Sequence, residues 1–494
     1  MRFSRLLVLG ASVAALPLLA IACSDDAKTP SLNNPTTGGA SAAGGKAASS
    51  GGAASAAGGA ASAAGGATQA GGTAGVGTGG AEQTGGTGTG GAPAVACDLS
   101  GVGKTRVDVI ADIAADTTFT ADKVWVLKDK IRVHNNATLT IEKCTRIEGT
   151  KEPLGALIIA RSSKIQAVGT AEEPILFTST AAPGARAAGD WGGVVLLGHG
   201  INNQVSNGNS TNVLVEGLAD DPLNKHGGAD NTDNSGTMKY VRIEFAGYQL
   251  AKDVELNGLT FGSVGSGTTI DHIEVSNGLD DCFEWFGGAV NASHLICNGD
   301  GDDAFDIDRG YVGTLSYLFG RKFANASGDP TGFEWDNFKD GQANLPRTRP
   351  VVSNVTLCGF GVEQVGKVTY GGVFRRGTAA SIDSWVASGF DYGFDMRDDA
   401  GTTNAPYVTI VNASLFGMRL GDIANAGEGD NDFGFDETVF FGAGAGNNTT
   451  SAGFTAAECI QDGAPASTVT SFTTRGAFTN GNWMTGKWVD WSKN

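Results

Sequence analysis

The sequence predicts an all-β solenoid in which short parallel strands stack in successive coils, preceded by a signal peptide and a low-complexity linker. Three observations predict it. Short apolar runs recur roughly every 20 to 30 residues, and Gly, Asn and Asp punctuate them. Amphipathic helical stretches are nearly absent. One acidic and aromatic phrase occurs twice, as NGLDDCFEWFGG at 277–288 and as NGDGDDAFDIDRG at 298–310.

The chain begins with a segment typical of a secretory signal, residues 1–22. Two arginines precede an apolar stretch that is short for a membrane span. Small residues then lead directly to Cys23, and this resembles the lipobox of bacterial lipoproteins, whose cysteine is acylated after cleavage. Ser24 resembles the pattern sorted to the outer membrane. We expect lipidation at Cys23 and an outer-membrane location in the cell envelope, on either the periplasmic or the cell-surface side, with an ordinary signal peptide as the alternative.

Residues 23–96 form the second expected region, a flexible tether that follows the lipidated cysteine. Gly, Ala, Ser and Thr dominate it, so it cannot bury enough apolar surface to offset its ordering entropy. Residues 97–494 form the folded domain. They carry 30 basic and 49 acidic residues, a net charge of −19 where the whole chain has −18, which disfavours nucleic acid and anionic lipid surfaces as partners. Contact with the membrane is therefore expected through the lipid anchor alone.

Six cysteines remain in the domain after Cys23 is set aside, and an exported protein can form disulfides. Cys282 and Cys297 form the favoured pair because they lie within or beside the two copies of the phrase. Cys97 with Cys144, and Cys358 with Cys459, follow by default, although sequence alone does not fix the connectivity. The spacing indicates no zinc site.

The repeated phrase is explained if each copy forms one coil of the stack. Period-two alternation directs the outer two residues of an apolar–charged–apolar triplet inward and the charged residue outward. We expect the inward aromatic rings to form a column, with neighbouring coils about 4.8 Å apart. The triplets occupy 283–285, 305–307, 333–335, 394–396 and 418–420.

Longer segments resemble a known family. They include VHNNATLTIEKCTRIEG from 133, GDWGGVVLLGHGINN from 189, DNSGTMKYVRIEFAGYQL from 233 and DDCFEWFGGAVNASHL from 280. They are similar to secreted and lipid-anchored bacterial proteins with a right-handed parallel β-helix, the pectin-lyase-like fold. The resemblance extends from about Lys123 to the C-terminus. It implies the fold of the domain, but the family has no settled activity and a fold does not by itself define one.

The acidic residues of the repeated phrase are the first candidate site. Carboxylates one strand spacing apart repel each other unless they are protonated or bridged by a cation, and Ca²⁺ prefers such oxygen ligands. The alternative is that these residues cap turns through hydrogen bonds to the backbone. The candidate calcium ligands are Asp280, Asp281, Glu284, Asp302, Asp303 and Asp306.

A catalytic interpretation of the same residues is the alternative. Paired aspartates resemble those of β-helix polygalacturonases, which need an acid and a base on either side of the bond. The catalytic candidates are Asp280, Asp281, Asp302 and Asp303. A lyase would instead need a basic side chain near the acidic residues, for which later coils offer Arg375 and Arg376. Charge pairing with the acidic residues is the favoured role of these arginines.

Aromatic and histidine residues give weaker predictions. Phe286, Tyr311, Tyr370 and Tyr392 are expected to face outward, where rings could stack on sugars. His272 and His294 are expected to stack as outward neighbours. Three tryptophans near the C-terminus, Trp483, Trp488 and Trp491, are expected to cap the open end of the solenoid, with an exposed binding patch as the alternative.

Together these features predict a cell-envelope lipoprotein that presents a rigid β-helix surface module. We expect non-catalytic, carbohydrate-binding activity toward a polysaccharide, or binding of an envelope protein, with Ca²⁺ as the one expected cofactor. The alternative function is that of a polysaccharide lyase or glycoside hydrolase that uses the acidic side of the helix.

Overall fold

The computed structural model describes residues 97–206, 210–251, 254–323, 330–398, 405–423, 432 and 434–492. The predicted signal peptide, Cys23 and the predicted tether lie outside these residues. The described chain is almost entirely β-structure. Its strands, in chain order, are β1 (Thr105–Val109), β2 (Thr117–Phe119), β3 (Lys123–Leu127), β4 (Lys130–Val133), β5 (Thr138–Ile141), β6 (Arg146–Gly149), β7 (Ala156–Ile159), β8 (Lys164–Val168), β9 (Ile175–Ser179), β10 (Val194–Leu197), β11 (Val213–Leu214), β12 (Lys225–His226), β13 (Gly236–Glu244), β14 (Tyr248–Ala251), β15 (Val254–Leu256), β16 (Leu259–Gly262), β17 (Thr269–Ser276), β18 (Phe283–Phe286), β19 (Asn291–Asn298), β20 (Phe305–Asp308), β21 (Thr314–Arg321), β22 (Phe333–Asp336), β23 (Val351–Cys358), β24 (Val373–Arg375), β25 (Ala380–Ser388), β26 (Asp395–Met396), β27 (Val408–Val411) and β28 (Ser414–Phe416).

Two sheets of parallel strands form the walls of a right-handed parallel β-helix, as the sequence predicts. The large sheet contains 15 described strands, with the order β1-β3-β6-β9-β13-β17-β19-β21-β23-β25-β27 along its main path. The small sheet contains nine, in the order β26-β24-β22-β20-β18-β16-β10-β7-β4. Each coil contributes to both sheets, so neighbours in a sheet are separated by one coil of sequence. Two short antiparallel hairpins, β11–β12 and β14–β15, lie outside the stack.

The long strands of the large sheet share a bend at one position. Tyr240, His272, His294 and Tyr317 occupy it in β13, β17, β19 and β21, and each has a positive φ between 52° and 57°. A side chain that adopts this left-handed conformation is uncommon, and here it recurs coil after coil. The bend divides each long strand into two arms. In β13, one arm pairs with β8 and the other arm pairs with β9.

The core lies between the sheets and contains the predicted aromatic column. Phe283 and Phe305 pair in register and stack with ring centroids 5.5 Å apart and an interplanar angle of 8°. Phe333 continues the column 6.1 Å from Phe305. The inward residues of the first four triplets are buried, in agreement with the alternation. The fifth triplet is different, because residues 418–420 form no strand and Leu420 is 52% exposed.

Three disulfides, Cys97–Cys144, Cys282–Cys297 and Cys358–Cys459, confirm the favoured pairings. Three short helices follow the last coils: α1 (Glu437–Ala443), α2 (Ala456–Cys459) and α3 (Ser467–Thr470). Pro222–Asn224 and Ala405–Tyr407 form short 3₁₀ turns. Among the described residues, no helix is long and apolar enough to span a lipid bilayer.

Helix α1 packs against the final coils, where Phe441 joins the core beside Phe394. The chain then returns along the outward side of the large sheet as the C-terminal strap, residues 454–492. Trp488 of the strap is fully buried against Tyr240 and His272, and Trp491 lies over Arg321. The prediction that the tryptophans cap the open end is therefore wrong. They cover the side of the sheet because outward residues such as Ile296 and Phe319 are apolar there and need a cover.

Candidate functional site

The candidate site lies on the outward side of the small sheet and in the turns that precede its strands. The parallel register aligns Glu284 of β18 with Asp306 of β20 and Glu334 of β22, and it aligns Phe286 with Asp308. Because side chains alternate along a strand, charged residues of three coils share one side. We call this set the acidic face. It comprises Asp280, Asp281, Glu284, Asp302, Asp303, Asp306, Asp308, Glu334 and Asp336.

Two aspartates of the acidic face bind the backbone of the following coil. The Oδ1 of Asp281 accepts a hydrogen bond from the backbone N–H of Asp303, at 2.8 Å. The Oδ1 of Asp303 accepts hydrogen bonds from the backbone N–H and the hydroxyl of Thr331, at 2.7 and 2.6 Å. These contacts agree with the turn-capping alternative for both residues. Asp281 and Asp303 therefore help to hold one coil to the next.

Two groups of carboxylates converge on the acidic face. Oxygen atoms of Asp281, Glu284 and Asp306 lie within 4.8 Å of one another, and so do those of Asp280, Asp281 and Asp302. Asp281 belongs to both groups. Asp303, the remaining candidate calcium ligand, belongs to neither. The amide of Asn257, a residue that the sequence analysis did not select, donates a hydrogen bond to Glu284.

Burial and mutual repulsion make these carboxyl groups hard to ionise. Burial, followed by the negative charge of the adjacent Asp302, raises the pKa of Asp280 to about 9. Burial likewise raises the pKa values of Asp281, Glu284 and Asp306 well above their usual range, with other acidic residues as the next cause. Without a bound cation, we therefore expect part of the acidic face to be protonated at neutral pH.

Basic side chains neutralise the later coils of the acidic face. Arg375 binds Glu334, and its Nε also lies 2.8 Å from the Oδ1 of Asp336. Arg376 binds the other oxygen of Asp336. These pairs agree with the favoured role of both arginines. Within the part of the chain that the structure describes, no lysine or arginine forms an ion pair with Asp281, Glu284 or Asp306. The site is thus divided into a half that arginines neutralise and a half in which Asp281, Glu284 and Asp306 form no direct ion pair in the described chain.

The residues of this second half fit a hard divalent cation. Ca²⁺ takes six to eight oxygen ligands, and carboxylates are its preferred protein donors. Burial and mutual repulsion raise the pKa values of these three close carboxylates, and a bound cation would offset that repulsion. Asp281, Glu284 and Asp306 would hold the ion, with Asp280 and Asp302 beside it.

Other predicted site residues have different positions. Tyr311 is fully buried in the core, where its hydroxyl donates to the backbone oxygen of Val290, so its predicted outward orientation is wrong. Phe286 is on the outward side but is covered, with the guanidinium of Arg309 over its ring. Tyr370 is buried and stacks on Tyr392. Phe286, Tyr311 and Tyr370 therefore offer no open face for a sugar, and Tyr392 is half-buried.

The histidine ladder forms as predicted. The rings of His272 and His294 stack with centroids 4.2 Å apart, and the Nδ1 atoms lie 2.8 and 2.9 Å from the Oδ1 of Asp271. Lys239 binds the other oxygen of Asp271 at 2.8 Å. The carboxylate therefore already has partners on both oxygens. Trp488 and Trp483 of the strap pack edge-on against the ladder, which gives it a structural role.

Comparison with protein-family models matches residues 111–486 to the pectate-lyase like beta helix domain. No curated protein and no solved structure matches the chain.

Proposed function

The chain belongs to the pectate-lyase-like β-helix domain family, and from this premise we propose that the acidic face is a Ca²⁺-dependent site that binds an acidic polysaccharide. One observation carries the proposal: oxygen atoms of Asp281, Glu284 and Asp306 lie within 4.8 Å of one another. Two buried carboxylates and one half-buried carboxylate at this separation require either protons or a cation.

The chemistry of the site indicates the class of ligand. Bound Ca²⁺ would supply positive charge and coordination positions that sugar carboxylates can fill. Without the ion, the acidic face would repel an acidic polymer. With it, the site would carry positive charge that a sugar carboxylate could approach. Arg375 and Arg376, at the neighbouring coils, hold Glu334 and Asp336 in ion pairs, so these two carboxylates add little to the repulsion.

The contacts of the site favour binding over catalysis. Two of the four catalytic candidates, Asp281 and Asp303, each use an oxygen to accept backbone N–H groups of the next coil. Arg375 and Arg376 are occupied by Glu334 and Asp336. A general base needs to reach a substrate proton, and these groups are already engaged in holding the coils together.

A polysaccharide lyase is the second candidate function, and one observation favours it. Burial, followed by the positive charge of Arg376, lowers the pKa of Arg375 to about 10 against the opposing effect of Asp306 and Asp303. A guanidinium with a lowered pKa is deprotonated in a larger fraction of molecules, and only the deprotonated form could remove the proton beside a sugar carboxylate. The raised pKa values of the acidic face are what a glycoside hydrolase would need for its acid, so hydrolysis belongs to the same alternative.

We also propose that the protein is a lipoprotein of the cell envelope, anchored through Cys23 in the outer membrane. The support comes from the leader pattern in the sequence and from three disulfides, which persist in exported proteins. The net charge of −18 gives no support for nucleic-acid binding. An envelope protein remains the other class of partner for the rigid surface.

Calcium titration of the metal-stripped protein tests the cation site. We expect saturable heat for the wild type in isothermal titration calorimetry and at least tenfold weaker binding for Glu284→Gln and Asp306→Asn. Glu172→Gln, an exposed acidic residue on another part of the surface, is the matched control. Equal affinity of all four proteins, or no heat at about 10 mM Ca²⁺, would contradict the site.

Retention on polymers tests the ligand class. Wild-type protein should be retained on immobilised polygalacturonate with Ca²⁺, released by EDTA, and not retained on neutral dextran. Polymer size and absorbance of unsaturated ends are followed in the same samples. Shortened polymer with new absorbance would establish the lyase, and shortened polymer without it would establish the hydrolase. Intact polymer with no retention would direct the search toward a protein partner.

A further inference from the structure

A cavity opens on the outward side of the large sheet, away from the acidic face. Its volume is about 490 Å³, within the range of sites for small molecules. Residues from both ends of the described chain contribute to its wall, Leu99 and Ser100 from one and Asp490 and Ser492 from the other. Four arginines line it: Arg106, Arg146, Arg186 and Arg242.

The register of the large sheet explains why there is a gap. Arg146 of β6 and Arg242 of β13 align with Leu176 of the intervening β9. The backbone positions of the two arginines are thus two strand spacings apart, about 10 Å. The shorter, uncharged side chain of Leu176 lies between them. Two residues further along the strands, Thr178 lies between Glu148 and Glu244 in the same way. The hydroxyl of Thr178 donates a hydrogen bond to Glu244 at 3.0 Å. Because the middle strand carries shorter, uncharged side chains than its two neighbours, it forms the floor of the cavity.

The arginines are not equally neutralised. Arg242 is surrounded by three acidic residues, since it binds Glu244 and Asp490 and lies 3.8 Å from Glu274. Arg106 and Arg146 share one carboxylate, that of Glu148.

Arg186 lies 3.9 Å from Glu244, which already binds Arg242, and its guanidinium lies over the ring of Phe245. Burial lowers the pKa of Arg186, and the positive charge of Arg146 also lowers it, against the opposing effects of Glu244 and Glu148. Arg146 and Arg186 both line this part of the cavity, where their like charges repel. An anion placed between them would relieve the repulsion.

We propose that this cavity binds a small organic carboxylate of about the size of an acidic monosaccharide, through Arg146, Arg186 and Arg106. Guanidinium groups recognise carboxylates with paired hydrogen bonds, which favours arginine over lysine at such a site. Phe245 and Leu176 provide apolar wall for the body of the ligand, and Asn277 and Thr180 provide polar groups. The site differs from the acidic face in its charge and needs no cation.

Binding is measured by isothermal titration calorimetry in EDTA, so that the acidic face cannot bind a carboxylate through Ca²⁺. D-glucuronate is the probe, D-glucose is the neutral control of the same ring size, and inorganic phosphate is the second anion. We expect saturable binding of D-glucuronate alone or in preference to phosphate. Arg186→Gln should weaken it at least tenfold and Arg106→Gln, whose side chain is 51% exposed, severalfold.

The matched control is Lys143→Gln, which removes the same charge from an exposed pair with Glu173 and should leave affinity unchanged. Melting temperatures of all variants show whether each is folded. If Arg186→Gln does not fold, the affinity of Arg106→Gln for D-glucuronate tests the proposal instead. Equal binding of D-glucose, stronger binding of phosphate, no binding at about 10 mM D-glucuronate, or unchanged affinity in the folded arginine variants would each overturn the proposal.

Discussion

Asp303 accepts a hydrogen bond from the backbone N–H of Thr331 at 2.7 Å, just as Asp281 accepts one from Asp303 at 2.8 Å. The acidic phrase occurs twice because each coil must bind the next at the same place. The neighbouring acidic side chains of the same phrases converge instead on one another. A single repeated motif thus supplies both the coil-to-coil contact and the candidate cation site.

Replacement of Asp303 separates these two roles. Asp303→Ala leaves the buried N–H and hydroxyl of Thr331 without this acceptor, and we expect it to lower the free energy of unfolding by about 1–3 kcal/mol. Asp303→Asn retains an acceptor oxygen and should cost less. Urea unfolding of both variants in EDTA measures the difference. Equal losses would show that the negative charge, rather than the hydrogen bonds, matters at this position.

The aromatic column should dominate the stability of the middle coils. Phe305 is fully buried between Phe283 and Phe333, so Phe305→Ala should lower the free energy of unfolding by about 3–5 kcal/mol through lost contacts and a cavity. Val365→Ala, at a residue that is 92% exposed, should change it by less than about 0.5 kcal/mol. Thermal and urea unfolding give both values, and similar losses for the two variants would contradict the interior position of Phe305.

The acidic face should make stability depend on pH. Burial raises the pKa of Asp280 to about 9, so this carboxyl group prefers its protonated form in the folded protein. Its contribution to stability is complete below the unfolded pKa of about 4 and is lost as the pH rises through about 9. In EDTA, we therefore expect the melting temperature to fall between pH 5 and pH 9.

Asp280→Asn removes this titration and should make the fall shallower, whereas Glu172→Gln should leave it unchanged. Added Ca²⁺ should restore stability most at the high end of the range, because it would bind the ionised carboxylates. The melting temperature is followed by differential scanning calorimetry. A melting temperature that rises with pH in EDTA, or an identical slope for Asp280→Asn, would contradict the raised pKa.

The Cys358–Cys459 disulfide should hold the C-terminal strap to the large sheet. The two residues are 101 positions apart, and a cross-link over a loop of this size contributes about 2–5 kcal/mol. We expect Cys358→Ala/Cys459→Ala to increase amide hydrogen exchange in residues 454–492. Cys97→Ala/Cys144→Ala removes a disulfide in the early coils, far along the sheet from Cys459, and should leave exchange in residues 454–470 of the strap unchanged. Equal protection of the strap in both double variants would show that packing of Trp488 suffices.

Much of the fold follows from local sequence. The apolar–charged–apolar triplets predict the interior column, because alternation along a strand fixes which side chains face inward. The spacing of Cys282 and Cys297 around the phrase favours the pair that the structure forms. The same alternation gave a wrong prediction for the triplet at 418–420, which forms no strand. Three residues cannot show whether the chain around them still pairs with a neighbouring strand.

The tertiary structure decided what distant residues do together. Arg242 binds Asp490 across 248 residues, and Trp488 packs on His272, so no local period could show that the C-terminal strap covers the large sheet. Sequence also identified the acidic residues but not their grouping. Asp281, Glu284 and Asp306 converge, while Asp303 binds Thr331, because the register of neighbouring coils and the shape of each turn set those distances. The sequence by itself determined which side chains repeat from coil to coil, and the stacking of coils decided which of them meet.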